Sequence, residues 1–130
     1  MKVNDTFETK GFHVTDTFVK IFADITADMN PLHLDEEYAK TTRFGQRIAH
    51  GMLTAGFISA TIAKHFPGAV YVRQSLHFSN SVYINDVVNV IFRINDINDT
   101  YITLNTTAYV EDKIVVFGEA KILYEVTSSN

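Results

Sequence analysis

Cysteine is absent from this chain of 130 residues, which excludes disulfides, thiolate metal sites and cysteine nucleophiles together. Long apolar runs are missing too. No stretch approaches the roughly 20 residues that span a bilayer, and Met1 to Lys10 is polar, without a secretory core. A cytoplasmic location with no membrane partner is the expectation. Basic charge is also scarce: Lys+Arg total 11 against 15 for Asp+Glu, a net charge of -4. That balance counts against nucleic acid as the main partner. Internal repeats, linkers and low-complexity segments are lacking, so residues 1–130 are expected to form one domain around one core. Prolines number only 2, and each marks a place where a helix cannot run on: Asn30-Pro31 and Pro67-Gly68.

What is present divides into helical and extended halves. Thr6 to Val14 alternates loosely around Gly11 and reads as a short, irregular strand. Thr15-Asp16 reads as a helix start, a hydroxyl cap followed by an acid at the positive pole. Phe18, Ile21, Phe22 and Ile25 then supply an apolar face to a helix over Asp16 to Ala27. Asp35 is placed to cap a second, short helix over Glu36 to Lys40. Thr41 to His50 is a polar, glycine-bearing connection. Gly51 to His65 is apolar on every side of a helical wheel, with no charge before Lys64, so this helix is expected to be buried all round. Gly51, Ala55 and Ser59 form a strip of small residues along it. From Val70 the period becomes two: Val70, Val72, Leu76, Phe78; Val88, Val90, Phe92, Ile94; Ile102, Leu104, Thr106, Ala108, Val110; and Ile114, Val116, Gly118, Ala120, Ile122, Tyr124. Polar clusters at Asn98-Asp99-Thr100 and Glu111-Asp112-Lys113 join the last three runs into an antiparallel meander, and Ser128 to Asn130 is expected to be a frayed tail.

A helix without a polar side must be enclosed, and a long antiparallel sheet wrapped around it is the economical solution. The expected class is α+β with the hot-dog architecture. Because one helix leaves sheet edge and face uncovered, a second subunit is expected, as a homodimer or a dimer of dimers.

The chemistry concentrates in Asp28-Met29-Asn30-Pro31-Leu32-His33-Leu34-Asp35. Asp28 and His33 are a carboxylate and an imidazole on a segment stiffened by Asn30-Pro31, read as a rigid loop between two helices. Such a pair can hold one water from two directions. The backbone amide of Gly51, at the positive end of the apolar helix, is the candidate donor to an oxyanion. His50 is read as supporting the loop, with Asn30 in a similar role. Metal ligation by Asp28, His33, Asp35 and His50 matches no known spacing, and Asp35 already has a capping role, so no metal is expected. Lys40, Arg43, Arg47, Lys64 and Arg73 each read as solvated charge or as a contact to phosphates, and none is assigned.

These residues resemble the MaoC-like hot-dog hydratases, and within them the (R)-specific enoyl-CoA hydratases. The resemblance is carried by Asp28 to Asp35, then Phe44-Gly45, then Ile48-Ala49-His50-Gly51-Met52, and extends over nearly the whole chain. It implies reversible addition of water to a trans-2-enoyl thioester, with acyl-CoA as substrate, no cofactor beyond the coenzyme A of that substrate, and Asp28 and His33 as the catalytic pair. Which of the two gives up the final proton stays open. Ser59 matches a family serine that hydrogen-bonds near the catalytic carboxylate; it reads equally as a buried hydroxyl bonded to the preceding turn. One departure stands out: Ser81 precedes Val82 where these enzymes often have proline, at a strand end expected to line the acyl tunnel. Alternatives within reach of the same residues are a 3-hydroxyacyl-carrier-protein dehydratase, a hot-dog thioesterase and a non-catalytic acyl-CoA-binding module.

Overall fold

Alternating branched and aromatic residues from Val87 onward form the centre of the molecule. In the computed structural model, which describes residues 1–125, they make three long strands: β4 (Val87–Asn98), β5 (Tyr101–Val110) and β6 (Lys113–Leu123). All pair antiparallel, joined at turns where Asp99 and Glu111 take positive φ, as the polar clusters predict. Two shorter strands, β2 (Val70–Gln74) and β3 (His77–Phe78), both pair with β6, and β1 (Thr6–His13) closes the far edge against β4. The strand order is β1-β4-β5-β6-β2. The frayed tail expected at Ser128 to Asn130 lies outside the described residues.

Val88, Val90, Phe92 and Ile94 of β4 and Ile102, Leu104, Thr106 and Ala108 of β5 are all buried, as their period predicts. In β6 the phase breaks. Pairing passes from Ala108↔Val116 to Tyr109↔Ile114, so Val115 is an extra residue in the ladder. A bulge of this kind flips the side chains beyond it. Val115 is therefore fully buried, and Ile114, expected on the core face, is exposed. At the opposite edge β1 is irregular, as expected. Gly11 takes φ +91, and its amide is satisfied by the Asn89 side chain at 2.9 Å where the register shifts.

Helix α1 spans Asp16–Thr26, with the Thr15 hydroxyl accepting from the Phe18 amide. Its buried row is Val19 and Ala23, whereas Phe18, Ile21 and Ile25 are exposed. The expected apolar face thus picked out the largest side chains, but the sheet admits the smaller i, i+4 pair beside them. Phe22 alone of that set turns inward, against His50. Next come α2 (Pro31–Leu34) and α3 (Glu36–Lys40), the latter capped by Asp35 as expected. The segment read as a loop is thus in part a single helical turn. Pro31 cannot continue α1, but at N1 its fixed φ suits the start of a new turn.

The apolar helix α4 spans Gly51–His65 and packs against β1, β4, β5 and β6. Thr54, Phe57, Ile58, Thr61 and Ile62 face the sheet, with Phe57 stacked on Phe12 at 4.4 Å between centroids. Burial on all sides does not hold within one chain. Met52 is 55% exposed, and Gly56, Ala60 and Ala63 are exposed along the same side, because a single sheet covers only one side of a helix. Beside this bare side, Val70, Tyr71 and Val72 of edge strand β2 are exposed as well. Among the described residues no helix is long and apolar enough to cross a membrane.

Candidate active site

The site is assembled where α1 ends. Ala27 closes α1 in the left-handed region at φ 62, turning the chain so that Asp28 leaves the helix axis. Asn30 caps the next turn, its Oδ1 accepting from the Leu32 amide at 3.1 Å, and its own amide points at Asp28 Oδ1 at 3.4 Å. Asn30 thus supports both members of the pair. His33 sits on α2, partly buried, with Nδ1 at 2.8 Å from the Ile48 carbonyl. A carbonyl can only accept, so Nδ1 carries the proton and Nε2 is left with a bare lone pair. Burial holds His33 below the ordinary histidine value, the neighbouring His50 adds to this, and the Ile48 bond and the Asp28 carboxylate pull the other way.

His50 is the N-cap residue of α4 and is 2% exposed. Its Nε2 donates to the backbone carbonyl of Asp28 at 3.0 Å, and its ring lies 3.9 Å from that of His33. It is the contact through which the two catalytic candidates share one support. Asp28, His33 and His50 each offer a polar atom within 4.8 Å of the others. These are also the described residues that could hold a cation. One nitrogen of each histidine is already engaged with a backbone carbonyl, and His50 Nδ1 is buried without a partner. Asp35 stays outside this cluster, at its capping position.

Gly51 opens α4 at the same place, and no side chain caps the helix there; in its first turn the Leu53 amide donates to the His50 carbonyl at 3.1 Å. A side chain at Gly51 would overlap the ring of Phe78, at 2.6 Å. His33, Gly51, Phe44, Phe78, Ser81 and Val82 are among the residues around one pocket of about 570 Å³. The departure at Ser81 thus falls on this wall. Neither Asp28 nor His50 is among the residues that line the pocket; of the three clustered residues His33 reaches it. Ser59 is not brought here. It lies about 12 Å further along α4 from Gly51, near Tyr71, whose phenol is pushed up to about 12 by burial and donates to Gln74. Arg47 was missed as a structural group: its Nε donates to the His33 carbonyl at 2.7 Å and its Nη1 pairs with Asp16 at 2.8 Å. No periodicity signals such a contact, because both partners are distant in sequence.

The chain is similar to proteins of known family and fold. Residues 1–118 match the MaoC like domain family. The (R)-specific enoyl-CoA hydratase of Rhodospirillum rubrum is 41% identical over 114 residues, 85% of this chain and 79% of that protein. A mitochondrial 3-hydroxyacyl-[acyl-carrier-protein] dehydratase of Arabidopsis thaliana is 46% identical over 89 residues, 68% of this chain and 52% of that protein. Among solved structures, the (R)-hydratase of A. caviae involved in PHA biosynthesis superposes with a TM-score of 0.91 at 30% identity, covering 96% of this chain and 98% of that one. With the hot-dog fold, and with relatives named as hydratases and dehydratases, this chain belongs to the MaoC-like family and is a hydro-lyase.

Proposed function

We propose that the chain adds water reversibly to trans-2-enoyl-CoA, giving the (R)-3-hydroxyacyl-CoA. The observation that carries this is the gathering of the Asp28 carboxylate and the His33 imidazole, polar atoms of which lie within 4.8 Å of each other, beside the start of α4, which no side chain caps. A water between carboxylate and imidazole gives up a proton to the pair as its oxygen bonds the β carbon. The α carbon receives a proton from the pair, so the double bond becomes single and no redox change occurs. Charge pushed onto the thioester oxygen in between is met by the Gly51 amide, which needs no rearrangement to donate. Asn30 and His50 hold the pair in place.

Incubation with enoyl-CoA esters of graded chain length, followed by chiral analysis, is expected to yield the (R)-3-hydroxyacyl product. Release of free thiol without a hydroxyacyl product would identify a thioesterase instead. The carrier-bound ester is the second reading, favoured by the likeness to the Arabidopsis dehydratase. Faster turnover of that ester than of the coenzyme A ester would make it the correct one.

A second copy of the chain is the proposed cover for the bare side of α4 and for β2, where Met52, Val70 and Val72 are 55%, 57% and 51% exposed. Apolar area of this kind beside an edge strand is what a self-complementary interface buries. Light scattering is expected to give twice the chain mass or four times it, and Val72→Asp to lower it to one chain. A wild-type mass of one chain would remove this interface.

A further inference from the structure

We propose that Arg47 is a positioning residue for the catalytic pair, a role that rests on the hydration reading above. The turn that presents His33 cannot hold itself. With Pro31–Leu34 as its whole extent, α2 is a single turn, tied at its ends by the His33 amide to the Asn30 carbonyl at 3.0 Å and the Asp35 amide to the Pro31 carbonyl at 2.9 Å. So short a helix pays its nucleation cost with almost no propagation. Its orientation has to come from outside, and it comes from one segment, Arg47 to His50. Arg47 Nε holds the His33 carbonyl at 2.7 Å, the Ile48 carbonyl holds His33 Nδ1 at 2.8 Å, and His50 Nε2 holds the Asp28 carbonyl at 3.0 Å. Main chain and ring of His33 are thus gripped from adjacent positions.

Arg47 also reaches the start of α1. Its Nη1 lies 2.8 Å from Asp16 Oδ1 in the first turn of that helix, and its side chain is only 12% exposed. One guanidinium plane therefore ties the start of α1, whose far end delivers Asp28, to the turn that carries His33. A planar fork can meet two acceptors in different directions at once, which a single ammonium cannot. The guanidinium keeps this geometry although its Nη2 is buried without a partner, a cost that a solvated surface pair does not carry. Arg47 therefore acts through the main chain of His33, holding the turn in the place where the Ile48 carbonyl keeps the proton on Nδ1.

The test compares wild type with Arg47→Met, Arg47→Lys and Asp16→Asn, using kcat, KM, melting curves and the ¹⁵N signals of the His33 ring. Arg47→Met is expected to lower kcat about ten- to a hundredfold with KM within about twofold, the scale of small misplacements. His33 should shift from the Nδ1–H tautomer toward a mixture. Arg47→Lys should recover the melting temperature but not kcat, and Asp16→Asn should cost less than Arg47→Met. An unchanged His33 tautomer, a kcat loss that only follows the folded fraction, or full rescue by lysine would each overturn the assignment. If wild type hydrates no enoyl thioester, the activity reading fails. The ring signals then still decide whether Arg47 positions His33.

Discussion

Asp28→Asn and His33→Gln are each expected to lower hydration of an enoyl thioester by at least about two orders of magnitude, the usual scale for acid and base groups, while melting close to wild type. The fold should survive because neither side chain holds elements together. Asp28 is 47% exposed at its side chain, and its carbonyl, which His50 uses, is retained in the variant. Glutamine at His33 can still donate to the Ile48 carbonyl but offers no basic nitrogen. The pH profile separates the two roles. Burial favours neutral His33, so its folded value lies below the ordinary 6.5. The unfolded chain therefore takes up the proton first as pH falls. The stability that His33 contributes is complete above 6.5 and is lost as pH drops through the folded value. Protonation also removes the Nε2 lone pair. The acid limb of kcat/KM should accordingly lie below 6.5 in wild type and be absent from whatever rate remains in His33→Gln. Near-normal turnover in both variants would place the chemistry elsewhere.

The parts of this site that depend on local chemistry could be read from the chain; those that depend on distant partners could not. Thr15 and Asp35 cap helices because a short oxygen-bearing side chain meets free amides within the same turn. The strands β4 and β5 declare themselves because a half-buried pleat imposes period two. The same logic failed at Val115, since an inserted residue shifts the phase without any compositional mark. It failed on α1 as well. Hydrophobic spacing there pointed to Phe18, Ile21 and Ile25, but tertiary packing chose Val19 and Ala23.

Asp28, His33 and Gly51 were singled out by residue type, loop stiffness and helix polarity, and the fold brings Asp28 to His33 and sets His33 and Gly51 on one pocket. The support beneath them was less legible. His50 reads in sequence as a neighbour of Gly51, yet it touches both catalytic candidates because α1, α2 and the start of α4 converge on it. Arg47 looked like surface charge until its two acceptors, Asp16 and His33, were brought together by the fold. Ser59 shows the converse. A match in position along α4 says nothing about which neighbour its hydroxyl meets, and here Ser59 stands near Tyr71, away from the Gly51 end of the helix.

Gly118→Ala is expected to destabilise the domain by about 3 kcal/mol or more, the upper range for forced overpacking, and to lower the melting temperature by roughly 10 °C. In sequence Gly118 is one position in an alternating strand, where alanine looks harmless. The pairing explains why it is not. Gln74 pairs with Ala120 and His77 with Phe117, so the bend at Ser75-Leu76, where β2 gives way to β3, must cross β6 over Gly118 and Glu119. Ser75 fills in for the missing ladder, its amide donating to the Glu119 carbonyl and its hydroxyl accepting from the Glu119 amide, both at 2.9 Å. A Cβ on Gly118 would stand 1.9 Å from the Ser75 carbonyl oxygen and 2.6 Å from its carbon. Both are backbone atoms, fixed by those bonds, so no rotamer change relieves the clash. On the opposite side β5 blocks retreat, with Thr106 donating to the Gly118 carbonyl at 3.1 Å. Either the Ser75 bonds break or β3 moves. Because β3 carries Phe78 against Gly51, the second outcome would also open the pocket wall and raise KM. A variant melting within a degree or so of wild type, with unchanged KM, would show that the crossing can relax at little cost.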